Sequence, residues 1–284
     1  MIKEILKKTS LLLGDSILDT EIVDRAIALK RFLAVHRRLP KNQNIFNDYL
    51  YKIKTSKKIT DPLRVFVSDK EFVKIYINSV VGEKYNVPTV AILNSPRDVY
   101  EFNFPENCCI KPTQASGEVI IRTNNSPVDL EKVISWFALN YYKTTKERNY
   151  KTLIPKVIVE PLIFGKTDLT DYRIFCYMGK PKLISLDIGK YSSYTRAFYD
   201  TEWNEQSFSL GYPKAECKIP QPENLKEMLY IAERLSMNFD LIRIDIYSDG
   251  TDCYVGEITN CHASAGQSFI PKSAEKIASK MIFE

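Results

Sequence analysis

The chain of 284 residues holds only two histidines, His36 and His262, so catalysis by clustered histidines is excluded. Its six cysteines, at 108, 109, 176, 217, 253 and 261, include no C-x-x-C pair. That spacing argues against a zinc cluster and offers no regular disulfide framework. Reduced, mostly buried thiols in a cytoplasmic protein are expected. No run of about 18 apolar residues occurs, so no membrane-spanning helix is expected. The opening MIKEILKKTSLLLGDS has three consecutive leucines before Gly14 and Asp15, too few for the apolar core of a signal peptide. There is no basic tract interleaved with aromatics, and the net charge of +5 is spread along the chain, so nucleic acid is not an expected partner. No loop matches G-x-x-x-x-G-K-[ST] or G-x-G-x-x-G, which excludes P-loop and Rossmann phosphate sites.

What is present is ordinary soluble-protein chemistry, 44% hydrophobic and 26% charged. The length suits one large domain or two modest ones sharing a cleft. The small positive excess fits a polyanionic partner such as a nucleotide. Ile2, Ile5, Leu6, Leu12 and Leu13 fit one helical face. A second helix, capped by Asp15 or Ser16, is read from Ile22, Val23, Ala26, Ile27 and Leu33 and ends near Pro40. A polar connector with room for a short helix follows, then RVFV as a strand. The next helix has Ser68 and Glu71 at capping-box spacing. Strands are expected at VPTVAIL, CCIKPT, EVIIRT, KVIVEPLIF, YRIFCY and PKLISLDIG. Ser-Pro opens helices at 95 and 126, and further helices are read at PENLKEMLYIAERLSM and from about Ser273. The fold class is α+β: a helical region over 1–60, an α/β part over 61–110, and further units over 111–165 and 166–284.

The stretch LIRIDIYSDGTDCYVGEIT at 241–259 reads as a β-hairpin with charges inside its strands. Alternation puts Arg243, Asp245 and Tyr247 on one face and Ile242, Ile244 and Ile246 on the other. An odd-length, three-residue loop at Asp249-Gly250-Thr251 sets Arg243 opposite Glu257 and Asp245 diagonal to it. A two-residue turn throws Asp245 and Glu257 to opposite faces. Two readings fit: an Arg243–Glu257 ion pair on a solvated face, or a carboxylate pair gathering a hard divalent cation. Lys111 ends CCIKPT just before a loop with Ser116 and Gly117, where a lysine and backbone N–H groups can meet phosphate oxygens. Lys70 stands at the mouth of a helix, Glu160 closes an apolar run before Pro161 and Leu162, and Asp171 and Arg173 share one side of a strand.

In order, Asp69-Lys70, the Lys111-Pro loop, the Glu160 hinge, Asp171-x-Arg173, Arg243-x-Asp245 and Glu257-x-Thr259 resemble the ATP-grasp fold over roughly residues 35–270. The pattern, with TRAFYDTEWN and GYP, is most similar to the TupA-like branch associated with teichuronopeptide and surface-polysaccharide synthesis. The resemblance implies ATP sandwiched between two α+β subdomains, with Lys70, Lys111, Ser116 and Gly117 at its phosphates. Backbone from Glu160 through Pro161 to Leu162 would read adenine and Asp171 the ribose. Asp245, Glu257 and Thr259 would hold Mg²⁺, with Arg173 and Arg243 facing the transferred phosphoryl group. Many members carry Glu-x-Asn where this chain has Glu257-Ile258-Thr259, with Asn260 one step along. Arg196 and His262 are candidates for gripping an acidic substrate, and Tyr191, Tyr194 and Tyr199 for a sugar-stacking wall. The implied activity joins a small-molecule or glycan acid to an amine. A kinase, a glycosyltransferase and a non-catalytic nucleotide-binding module are the alternatives.

Overall fold

The computed structural model of the chain describes residues 20–41, 43–167, 169–189 and 194–284. The expected first helix, the caps Asp15 and Ser16, and Tyr191 lie outside the described residues. Helix α1 (Glu21–His36) is capped by Thr20, whose hydroxyl accepts from the Val23 N–H. Its buried row is Asp24, Ala28 and Phe32, whereas Ile22, expected on the apolar face, is 80% exposed. A carboxylate can take the inner face because the Tyr142 hydroxyl meets both Asp24 oxygens, at 2.8 and 3.0 Å.

The polar connector forms α2 (Phe46–Thr55). Arg-Val-Phe-Val is not a strand. It completes α3 (Pro62–Phe66), which Asp61 caps through the Leu63 N–H and Pro62 starts. The capping box expected at Ser68 and Glu71 is absent too. The carboxylate of Asp69 accepts from the N–H groups of Glu71 (2.8 Å) and Phe72 (3.3 Å), and opens α4 (Phe72–Val81).

Four antiparallel strands follow: β1 (Ala91–Leu93), β2 (Cys108–Pro112), β3 (Ile120–Arg122) and β4 (Val157–Pro161), ordered β1-β4-β2-β3. Helix α5 (Pro96–Glu101) starts with the Ser95–Asp98 capping box. The second Ser-Pro does not open a helix; Asp129 caps α6 (Leu130–Ser135), and after a 3₁₀ turn the chain resumes as α7 (Tyr141–Thr145). Val99 and Val133 from these helices pack with Leu93, Ile110, Val157 and Val159 of the sheet. This sheet takes strands from both sides of position 110.

The larger sheet contains β5 (Asp171–Tyr177), β6 (Lys180–Ile188) and β7 (Thr195–Tyr199). After β8 (Ser209–Leu210) and α8 (Leu225–Ser236) come its other strands, β9 (Leu241–Ser248) and β10 (Cys253–Thr259). All pairs are antiparallel, in the order β10-β9-β5-β6-β7. Strand β11 (Phe269–Ile270) pairs with β8, and α9 (Ala274–Phe283) closes the chain. One face of the large sheet, with Ile174, Ile184, Ala197, Ile244 and Ile258, packs on α4 and α8. The opposite face is divided. Phe175, Leu183, Phe198 and Leu241 form one end and pack on α2 and α9. The other end carries charge. No helix among the described residues is long and apolar enough to cross a membrane.

Candidate active site

The hairpin differs from its expected register. Ser248 pairs with Cys253, so the loop has four residues, 249–252, and up to Val255↔Ile246 the pairing would set Glu257 against the isoleucine face. A β-bulge at Gly256 adds the odd residue instead. It brings Glu257 directly across from Asp245 and Thr259 across from Arg243, so the two carboxylates face one another rather than lying diagonally. Only glycine fits the bulge as built, since a Cβ at 256 would lie 2.4 Å from Tyr247 Cε2.

Arg243 grips Asp245 with two parallel bonds, Nε to Oδ1 and NH2 to Oδ2, both 2.6 Å. Its NH2 also donates to the Thr259 hydroxyl at 3.0 Å, and its NH1 meets His262 Nδ1. Arg173, paired across the strands with Asp245, donates from Nε to Asp171 at 2.9 Å and from NH1 to Asp187. Asp187 also accepts from the Tyr194 hydroxyl and from Arg196, whose remaining bonds go to Leu210 O (2.8 Å) and Gln267 Oε1 (3.0 Å). Arg196 is 2% exposed, so it braces the cluster rather than standing free in a surface loop. His262 is buried as well, with Nε2 3.0 Å from Gln267 Oε1. Asn260 stays out of the site and binds Arg64 and Ser68.

Further cations come from β2, from α4 and from the residue pair that opens it. Glu160, 3% exposed, lies 2.6 Å from Lys74 Nζ by one oxygen and 2.6 Å from Lys111 Nζ by the other. Lys70 donates from Nζ to Ala115 O, beside the exposed Ser116-Gly117 loop. Strand β4 runs past the last β1 pairing, at Val159, leaving Glu160, Pro161 and Leu162 with no β1 partner on that side. Asp171 Oδ1 is buried and has no hydrogen-bond partner among the described residues.

The charges sort into distinct electrostatic roles. Burial raises the Glu257 carboxyl, but Lys70, Arg243, Lys111 and Arg173 outweigh it and hold the group below the usual carboxylate range. Burial dominates at Asp245 and raises its carboxyl, with Arg243 opposing and Asp171 adding to the rise. Burial also lowers the Lys70 ammonium, with Glu257 opposing. Among the described residues no three His, Cys, Asp or Glu side chains form a ready metal cage. Two opposed carboxylates suit Mg²⁺ nonetheless, because that ion commonly takes one or two carboxylates and completes its shell with phosphate oxygens and water.

The structure thus gathers Arg173, Arg243, Asp171, Asp245, Glu257 and Thr259 on one sheet face, with Lys111 of β2 and Lys70, just before α4, acting on Glu257. Sequence reasoning missed Asp187, Lys74 and Gln267. Asp187 had a signal, a lone carboxylate alternating with Leu183 and Ser185 on β6.

A family profile described as TupA-like ATPgrasp matches residues 50–283. No functionally curated protein matches the chain. Among solved structures, the D-alanine–D-alanine ligase of Bacillus anthracis complexed with ATP is 20% identical over 76% of this chain and 62% of its own, with a TM-score of 0.41. The D-alanine–D-alanine ligase of Helicobacter pylori is 16% identical over 77% and 62%, with a TM-score of 0.40. An L-amino acid ligase from Bacillus licheniformis is 13% identical over 76% and 49%, with a TM-score of 0.44. The chain covers less than two thirds of the length of each. The profile match takes in both sheets and every residue of the charged face, and the chain belongs to the TupA-like ATP-grasp family.

Proposed function

We propose that the chain is an ATP- and Mg²⁺-dependent carboxylate–amine ligase of the cytoplasm, acting on a sugar acid or glycan precursor in surface-polysaccharide synthesis. The two sheets would be the subdomains that sandwich the nucleotide. A carboxylate oxygen of the acid attacks the γ-phosphorus, and ADP leaves with the electrons of the broken bond. The amine nitrogen then attacks the acyl carbon, inorganic phosphate departs, and the amine proton passes to solvent. Mg²⁺, held by Asp245 and Glu257 with Thr259 beside them, would offset charge on the phosphate oxygens.

The chain's own residues do the positioning. Lys70 and Lys111 meet the phosphates, and the Ser116-Gly117 loop closes over them. The Glu160–Leu162 backbone, lacking a β1 partner on that side, offers its edge to adenine. The unpartnered Asp171 Oδ1 accepts from a ribose hydroxyl. Arg173 and Arg243 face the phosphoryl group in transfer, where fixed donors count most. Arg196 and His262 serve the acid subsite through the groups they hold. Of the expected sugar-stacking wall, Tyr194 stays beside the cluster with the Tyr212 ring 4.1 Å away, whereas Tyr199 is fully buried against Trp203 and is not part of it.

The observation that carries this reading is the Gly256 bulge. It sets Glu257 across from Asp245, where Lys70, Arg243, Lys111 and Arg173 all act on its carboxylate. Incubation with ATP, Mg²⁺, candidate acids and candidate amines, with ADP and phosphate measured, tests it. Phosphate released only when acid and amine are both present supports ligation. ADP formed on a hydroxyl acceptor without free phosphate would make the protein a kinase instead, and no nucleotide consumption would overturn the proposal.

A further inference from the structure

Six carboxylates are buried among the described residues: Asp24, Asp48, Asp69, Glu147, Glu160 and Asp245. Five of them have a lysine or arginine nitrogen within 4.0 Å. Glu147, 7% exposed, has none among the described residues. The Ser264 hydroxyl donates to its Oε1, and Oε2 has no hydrogen-bond partner among the described residues. Burial raises the Glu147 carboxyl and Glu257 adds to the rise, with Lys54, Ser264 and Arg31 opposing. Both of those cations are committed elsewhere. Lys54 Nζ donates to Thr145 O at 3.1 Å, and Arg31 donates to Thr144 O (2.8 Å) and Thr145 O (3.0 Å). A buried carboxylate with no cation of its own destabilises a fold, and a ligand that brings the cation answers the cost.

The chain brings Glu147 to the edge of the active site. It follows α7 and the left-handed Lys146 (φ +57°), and precedes a 3₁₀ turn at Arg148–Tyr150. Tyr141 and Tyr150, from the two ends of this segment, meet edge to face with ring centroids 4.8 Å apart. Burial, Glu147 and Glu257 raise both hydroxyls; Ser116 of the phosphate loop opposes the rise at Tyr141, and Arg243 opposes it at Tyr150. The tyrosine pair therefore lies alongside Glu147, the hairpin carboxylate and the phosphate loop at once. Ser264 belongs to a row of three left-handed residues, Ala263, Ser264 and Ala265 (φ +45°, +57° and +59°), directly after the His262 that meets Arg243. Such backbone is unfavourable for residues other than glycine, and here it accompanies a serine hydroxyl turned onto Glu147.

We propose that Glu147 is the subsite for the amine substrate: its carboxylate receives the amine as an ammonium ion, with the Tyr141 and Tyr150 rings at its flank. An ammonium supplies the missing charge and a donor for Oε2, and aromatic rings beside it favour a cation. The guanidiniums of Arg173, Arg196 and Arg243 repel an ammonium and leave their end of the cluster to the acid. The site thus favours an amine that is cationic at neutral pH over an uncharged nitrogen nucleophile. That the bound ammonium is a substrate rests on the ligase reading; that Glu147 binds one does not.

The test is titration of the full chain with n-propylammonium chloride at constant ionic strength, followed by saturation-transfer NMR, with 1-propanol as the uncharged control. The wild type should transfer saturation to the ammonium and not to the alcohol. Glu147→Gln keeps an acceptor for Ser264 and drops the charge. It should weaken propylammonium binding at least about tenfold, while its thermal midpoint holds or rises. With an acid and amine pair that the wild type joins, Glu147→Gln should raise the KM for the amine at least about tenfold and leave the KM for ATP unchanged. Hydroxylamine, uncharged at neutral pH, traps an activated acid as the hydroxamate, and the preference for the cationic amine over it should fall by a similar factor. Equal ammonium binding by wild type and variant, no ammonium binding by the wild type, or equal binding of the alcohol overturns the proposal. So does a Glu147→Gln protein that unfolds or melts lower, since the fold itself would then use the charge. If the wild type joins no pair and yields no hydroxamate, the ligase reading fails while the titration still decides this one.

Discussion

Replacing Glu160 with glutamine removes one negative charge from between two ammonium groups, each 2.6 Å from a different oxygen. The carboxylate is 3% exposed, and Lys74 and Lys111 have side-chain exposures of 16% and 13%, so water can replace little of the lost interaction. Burial raises the Glu160 carboxyl, but the two lysines outweigh it and leave it below its usual value of 4.5. Burial likewise lowers both ammonium groups; Glu160 overcomes this at Lys111 but not at Lys74. Removing one partner of a buried pair costs about 3–5 kcal/mol. At about 2–4 °C per kcal/mol for a chain of this size, the thermal midpoint should fall by roughly 6–20 °C. Because the folded carboxyl is lowered, its stabilisation is present above the unfolded value and is lost as the pH falls through the folded one. The gap between wild type and Glu160→Gln should therefore be full at neutral pH and narrow below a pH of about 4. ATP should raise the variant's midpoint more than the wild type's, since phosphate returns negative charge to Lys111. Equal midpoints at neutral pH, or a gap indifferent to pH, would refute the argument.

Asp245→Asn should behave oppositely. Its carboxyl is raised by burial, and Arg243 keeps Glu257 and Asp171 nearby, so unliganded stability should hold within about 1 kcal/mol or rise. Turnover and its Mg²⁺ response should collapse in the same variant, as read by a melting curve beside an ADP assay. Gly256→Ala must push the Tyr247 ring aside and strain the bulge, so a loss of about 1–3 kcal/mol in urea denaturation is expected, together with weakened nucleotide binding. On α1, Ile22→Ala should leave the urea midpoint unchanged, while Phe32→Ala, at a position 1% exposed, should cost about 3–5 kcal/mol.

The hairpin strands, α8 and the Met178-Gly179 turn between β5 and β6 were legible because each is decided locally by alternation, helical period or turn residues. RVFV misled because four apolar or charged residues fit either period, and the real signal was the preceding Asp61-Pro62. The α1 stripe misled because the burial of Asp24 depends on Tyr142, more than a hundred residues away. The six charged or hydroxyl positions of the sheet face were legible as types and order. Their pairing was not, since it turns on Gly256, which reads in sequence as one more residue of a strand. Lys74 could not be told from other lysines until α4 was packed beside β4.

Calorimetric titration of a non-hydrolysable ATP analogue, with and without Mg²⁺, into wild type, Lys111→Ala and Glu257→Gln tests the cleft most directly. The wild type should bind at least about tenfold more tightly with Mg²⁺, an effect on the order of 1.4 kcal/mol. Lys111→Ala should bind weakly under both conditions, and Glu257→Gln should bind with the same affinity whether or not Mg²⁺ is present. A wild type that ignores the analogue, or a Glu257→Gln protein with the full Mg²⁺ effect, would contradict a nucleotide and metal site between Lys111 and the Asp245–Glu257 pair.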